Sequence, residues 1–218
     1  MSIVVPFGSD LQIEAGLHGF NLFVLFLVTF TAAVALPGPN VIFAVAQTLK
    51  HGLKIAIPGA IGFGTGAAVH AAVVLSGVGI FIQDNQWVLL YVRWIGAIYL
   101  GCLAIIAFCG KRESRTEDGV RWNSRQVFVD SLIVSLANPK GWLATLVTYP
   151  SFISPSGSYL GQAVPMGAAA TAISVGVYCG YMFLADRASV VLINRSMLEK
   201  ITGALYACVA ASLIFLNR

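Results

Sequence analysis

Charge is what this chain has least of. Asp, Glu, Lys and Arg make up 10% of its 218 residues and apolar residues 58%, where an ordinary soluble domain carries about 25% and 45–50%. That balance excludes a soluble globule. The first nineteen residues hold Asp10, Glu14 and His18 but no Lys or Arg. They lack the basic n-region of a cleavable signal peptide, so the first apolar span is expected to be retained. Cysteine is scarce as well. Cys102, Cys109, Cys179 and Cys208 all fall inside apolar stretches, and Cys102 and Cys109 share one predicted helix at a separation that forbids a bridge. No disulfide framework or metal-ligand spacing results, and the four read as small packing residues.

What is present is a series of apolar runs long enough to span a bilayer, which takes about 20 residues each. They predict six helices at 20–48, 55–82, 88–110, 127–150, 161–185 and 199–216. Between them lie 49–54 with Lys50 and Lys54, 111–126 with five basic residues, and 186–200 with Arg187, Arg195 and Lys200. These ten basic residues fall on one side of the predicted topology. The N-terminal tail and the segments at 83–92 and 151–160 have none. Positive charge stays cytoplasmic, so both termini are expected outside. The net charge of +4 then reflects topology and anionic lipid rather than a nucleic-acid-binding face. Trp87, Trp94, Tyr149 and Tyr159 fit interfacial aromatic belts.

Two stretches repeat. Setting residues 35–44 against 135–144 aligns Leu36 with Leu136, Pro39 with Pro139, Ala44 with Ala144 and, further on, Thr48 with Thr148, all offset by 100. Gly96-Ala-Ile-Tyr99 likewise matches Gly203-Ala-Leu-Tyr206. Three spans per copy is odd, so the copies must be inverted in the membrane, the 3+3 pattern of secondary transporters. The expected organisation is a single all-α membrane domain over 1–218. It comprises an external tail at 1–19, a first repeat at 20–110, a basic cytoplasmic loop at 111–126 and a second repeat at 127–218, with the first and fourth helices broken.

The breaks follow from proline chemistry. Pro37-Gly38-Pro39 and Pro139 remove amide donors and clash with the preceding turn, leaving unpaired backbone that is tolerated at membrane depth only inside protein or beside a watery cavity. Pro39 and Pro139 suit the first turn of a new half-helix. Two such N-termini, each partially positive, suit an anionic group. Asn40, Asn138 and Lys140 stand beside the breaks. A lysine within a span costs at least about 2.5–3.5 kcal/mol and is by default a functional candidate. Pro37, Gly38, Pro39, Asn40, Asn138, Pro139 and Lys140 therefore form the expected substrate site, and carbonyls freed near 34–36 and 134–136 are expected to receive an ammonium. His70, whose ordinary pKa lies near neutrality, and Asp130 are the candidates for proton coupling. Gly62 and Gly66 form a G-x-x-x-G packing motif.

These residues resemble the lysine exporter family, which includes the threonine and homoserine-lactone exporters. The resemblance rests on P-G-P-N at 37–40, the glycine-rich second span ending in His70, Gly96-Ala-Ile-Tyr-Leu100, Phe128 ahead of Asn138-Pro139-Lys140, and Tyr149-Pro150 with Phe152. It implies a six-helix exporter of amino acids or derivatives in the bacterial inner membrane, driven by a proton or sodium gradient, with no cofactor, metal or catalytic residue. The chain departs from the family at Ala67, usually acidic, at Ser131, usually Gly, and at Ser151, usually Gln.

The expected function is export of a small amino acid or derivative. The alternatives are a membrane thiol-disulfide carrier, for which Cys102 and Cys208 lie away from both breaks, and a passive channel. An intramembrane hydrolase has no G-x-S-x-G elbow to serve it. The sequence leaves open whether a second copy joins it as a homodimer.

Overall fold

A computed structural model describes residues 7–77, 85, 87–109, 124–154 and 157–189, together with 201, 204, 205, 207, 208 and 211. Residues 110–123 of the predicted basic loop, most of the sixth predicted span and Gly203 and Tyr206 of the second repeat match lie outside the described residues. Among the described residues the regular structure is entirely helical: α1 (Phe7–Ala35), α2 (Pro39–His51), α3 (Leu53–Ala56), α4 (Pro58–Leu75), α5 (Trp87–Cys109), α6 (Ser124–Ala137), α7 (Pro139–Phe152) and α8 (Tyr159–Ser189). Two helical stretches, Leu53–Leu75 and Tyr159–Ser189, are long and apolar enough to cross a membrane, and Gly19–Ala35 with Pro39–His51, bent by 56°, makes a third. Helix α5 occupies the third predicted span, and α6 with α7 the fourth. Helix α1 starts well before residue 20, so much of the segment read as a tail is helical.

Helix α2 stops where its sequence tells it to. Lys50 and His51 in the last turn complement the negative helix end. Gly52 then takes φ +78° and donates its N–H to the Thr48 carbonyl at 2.8 Å, a conformation that costs glycine little. The short α3 follows, its Leu53 N–H bound to Asp186 Oδ1 of α8 at 3.3 Å. Asp186 thus ties α3 to the end of α8.

Helix α4 is the hub of the packing, with α6 on one side and α8 on the other. Its glycines explain why. A Cβ at Gly62 would collide with the backbone carbonyl of Phe128, and one at Gly66 with the Ser135 side chain. The G-x-x-x-G pair thus lets α4 and α6 approach backbone to backbone, as small residues do between membrane helices. Gly64 serves the opposite face, where a Cβ would collide with Val175.

The buried side chains divide into two clusters. One joins Phe43, Phe63, Val134, Tyr178 and Met182; the other joins Phe26, Phe30, Trp142, Leu146, Tyr149 and Met166. Tyr149 corrects its expected place in an aromatic belt. It is fully buried, with the rings of Phe26 and Phe30 at 5.2 and 6.3 Å, because the aromatic face of α1 packs against α7. Trp87, Trp94 and Tyr159 are exposed, as expected of belt residues.

Candidate functional site

Both predicted breaks are present, and both half-helices begin on the predicted prolines. In the first, residues 36–38 separate α1 from α2; Gly38 is extended at φ −172°, ψ −171°, and Pro39 is the first residue of α2. The residue before a proline is disfavoured from helical backbone, so Pro39 both prevents α1 from continuing and starts its successor. The second break is Asn138 alone, extended at φ −79°, ψ 107°, with Pro139 opening α7. The Asn138 side-chain oxygen accepts the Lys140 N–H at 3.1 Å, an N-cap that satisfies one otherwise unpaired amide of the new helix.

The breaks are bonded to each other. Asn138 Nδ2 donates to Asn40 Oδ1 at 2.9 Å, and Asn40 Nδ2 donates to the Tyr178 hydroxyl at 3.1 Å. Lys140 Nζ donates to the Leu36 carbonyl at 2.8 Å. Asn40 and Lys140 hold equivalent positions at the 100-residue offset, and each reaches the other break. The carbonyls expected to be free are therefore already engaged. Tyr181 donates its hydroxyl to Ala35 O at 2.7 Å and Trp142 its indole N–H to Leu136 O at 2.7 Å. The reason is general: carbonyls freed at a helix end are strong acceptors, and long side chains supply donors here. Lys140 is the second residue of α7, and its Nζ lies close to Gly38, the N-cap of α2. Its stem spans the gap to the C-terminal, negative end of α1, where an ammonium is favoured.

These groups line one cavity of about 50 Å³, room for a few waters or a compact solute. Its polar wall is Asn40, His70, Ser135, Asn138, Lys140, Thr145, Ser174 and Tyr178, and its apolar wall includes Phe30, Phe63 and Ala67. Among the described residues, no Asp, Glu or Cys lines it. Ala67, where the resembling family usually has an acid, faces this space, so the chain lacks a carboxylate at the one lining position where that family would supply it.

Of the sequence-predicted residues, Gly38, Asn40, Asn138, Lys140 and His70 line the cavity, whereas Pro37, Pro39 and Pro139 shape its backbone without lining it. Asp130 is buried elsewhere on α6, where its Oδ1 accepts from the Tyr99 hydroxyl at 2.6 Å and Gln126 Nε2 at 2.5 Å. The pair proposed for proton coupling is thus not brought together in one cavity. Sequence reasoning missed Tyr178, Ser174, Ser135 and Thr145. Tyr178 had a readable signal, a hydroxyl inside the small-residue run from Gly167 to Gly180. The three hydroxyls had none, since serine and threonine inside helices commonly bond their own backbone, as Thr145 does to Gly141 O at 2.9 Å.

Comparison with known proteins places this geometry in context. Residues 31–216 match the family described as LysE type translocator. The homoserine/homoserine lactone efflux protein of Salmonella typhimurium is 26% identical over 198 residues, 89% of this chain and 96% of that protein. The leucine efflux protein of Salmonella choleraesuis is 29% identical over 163 residues, 73% of this chain and 75% of that protein. An uncharacterized membrane protein of Vibrio cholerae is 25% identical over 170 residues, 78% and 82% of the two chains. No solved structure matches the chain.

Proposed function

The chain belongs to the LysE type translocator family, and on that premise we propose that it is a secondary-active exporter of a small amino acid or close derivative, working across the bacterial inner membrane. Relatives named for homoserine, homoserine lactone and leucine efflux support the substrate class. In this reading the chain crosses the membrane six times, the two copies are inverted, and both termini face outward. A proton or sodium gradient drives the cycle.

One observation carries the site. The Lys140 amino group bridges from one break to the other, on Leu36 O at 2.8 Å, in a cavity whose lining holds no acid. A zwitterion suits that arrangement atom for atom. Its ammonium replaces the Lys140 amino group on the Leu36 carbonyl, and its carboxylate receives the released Lys140 and the positive start of α7. Each polar group then keeps a partner throughout the exchange, which matters where water is excluded. Breaking the Lys140–Leu36 link also removes one of the two bonds that join the breaks, so loading the site loosens one repeat against the other.

The test is competition in the purified protein between a bound amino acid and its amide. The amide keeps the ammonium but loses the carboxylate, and is expected to compete at least about tenfold more weakly, the equivalent of about 1.4 kcal/mol. Equal competition would remove the carboxylate role from Lys140.

A further inference from the structure

We infer that His70 is a specificity-determining residue that hydrogen-bonds an oxygen at the end of a short substrate side chain. This rests on the amino-acid reading of the cavity. His70 is 3% exposed, and its Nε2 has no hydrogen-bond partner among the described residues. Buried polar atoms are paired in the great majority of cases, so the exception calls for a partner that comes and goes. Three other buried polar atoms are also unpaired: Gln47 Oε1, Ser131 Oγ and Tyr149 OH. None of those residues lines the cavity; His70 does.

The ring is held in place for that role. Trp142 packs against it with ring centroids 4.2 Å apart at 48°. On its other flank is the backbone of Gly141, where a Cβ would stand 3.0 Å from His70 Cε1. A side chain at 141 would therefore push the imidazole out of position. The cavity holds only about 50 Å³, so a ligand with its charged end at Lys140 brings only a short side chain to the imidazole. A neutral imidazole offers one donor and one acceptor nitrogen, matching a hydroxyl or a ring oxygen. An aliphatic side chain of the same length would leave Nε2 buried and unpaired. Sites that hydrogen-bond a substrate hydroxyl reject analogues lacking it far more strongly than apolar pockets sort methylenes.

Homoserine and norvaline test this, because they differ only by a terminal hydroxyl in place of a methyl. With the purified full-length protein in detergent, homoserine is expected to bind at least about tenfold more tightly than norvaline. His70→Leu should bring the ratio near one chiefly by weakening homoserine. His70→Gln, which retains a donor and an acceptor but cannot titrate, should keep the preference for homoserine. A parent protein that binds the two equally overturns the inference without any variant, as does a ratio that survives His70→Leu. A His70→Gln protein that loses export, with the ratio unmoved by either substitution, would make His70 a proton carrier instead. If no amino acid binds the parent at all, the transport reading itself fails and this inference with it.

Discussion

Lys140→Met is expected to abolish amino-acid binding and export while leaving the yield of folded protein near that of the parent. Two opposing terms fix the stability side. The substitution removes the cost of placing a lysine within a span, about 2.5–3.5 kcal/mol. It also removes a charge-assisted bond to Leu36 O worth about 1.5–3 kcal/mol. Leu36 is 60% exposed, so its carbonyl is not sealed away when the partner goes, and the two terms come close to cancelling. Nothing cancels on the binding side. A substrate carboxylate desolvated in this cavity loses its only lining cation, and truncating one partner of such a pair costs about 2–5 kcal/mol, at least about thirtyfold in affinity. Lys140→Arg is expected to recover part of the loss, because a planar guanidinium keeps the charge but not the compact shape that reaches one carbonyl. Equilibrium binding and thermal unfolding of the purified variants separate the two effects.

Asn138→Ala is expected to be the most destabilising single truncation at the site. It deletes the cap on α7, worth about 0.5–2 kcal/mol, and leaves Asn40 Oδ1 buried without its donor, about 1–3 kcal/mol more. The sum is about 1.5–5 kcal/mol if neither break relaxes. Asn138→Ser divides the two contributions. A serine hydroxyl caps a helix nearly as well as an asparagine amide but is too short to reach Asn40 on the other break. It should therefore recover much of the lost stability, yet bind substrate as poorly as the alanine variant, because the link registering α2 against α7 is still gone. Denaturation curves measured beside binding isotherms would show it; a serine variant that binds like the parent would mean that the Asn40–Asn138 bond only braces the fold.

The breaks were legible because proline chemistry is local: a ring that removes a donor and constrains its neighbour announces itself in any context, and Pro39 and Pro139 do open α2 and α7. The close packing of α4 was legible at Gly62 and Gly66 for the same reason, since only glycine permits that approach. What the sequence did not carry was partner choice across long separations. Lys140 is 104 residues from Leu36 and Asn40 is 138 residues from Tyr178, and no spacing rule connects them. Hence the lysine's place beside the breaks was legible, but not that its stem also reaches the C-terminal end of α1. Tyr149 misled for another reason. An aromatic near the end of a span reads as a belt residue, and only the packing of α1 against α7 reveals that it is covered by Phe26 and Phe30. Asp130 shows the same limit: its bond to Tyr99 depends on α5, which the local sequence does not mention.

The central claim is that the two bonded breaks form the seat of an amino acid on its way out of the cell. It is tested most directly by loading cells with dipeptides, to raise internal amino acids, and comparing the medium of cells carrying the parent protein, Lys140→Met or neither. A specific amino acid or derivative accumulating outside with the parent alone is the result expected. Equal accumulation in all three, or export by Lys140→Met at the parental rate, would contradict it.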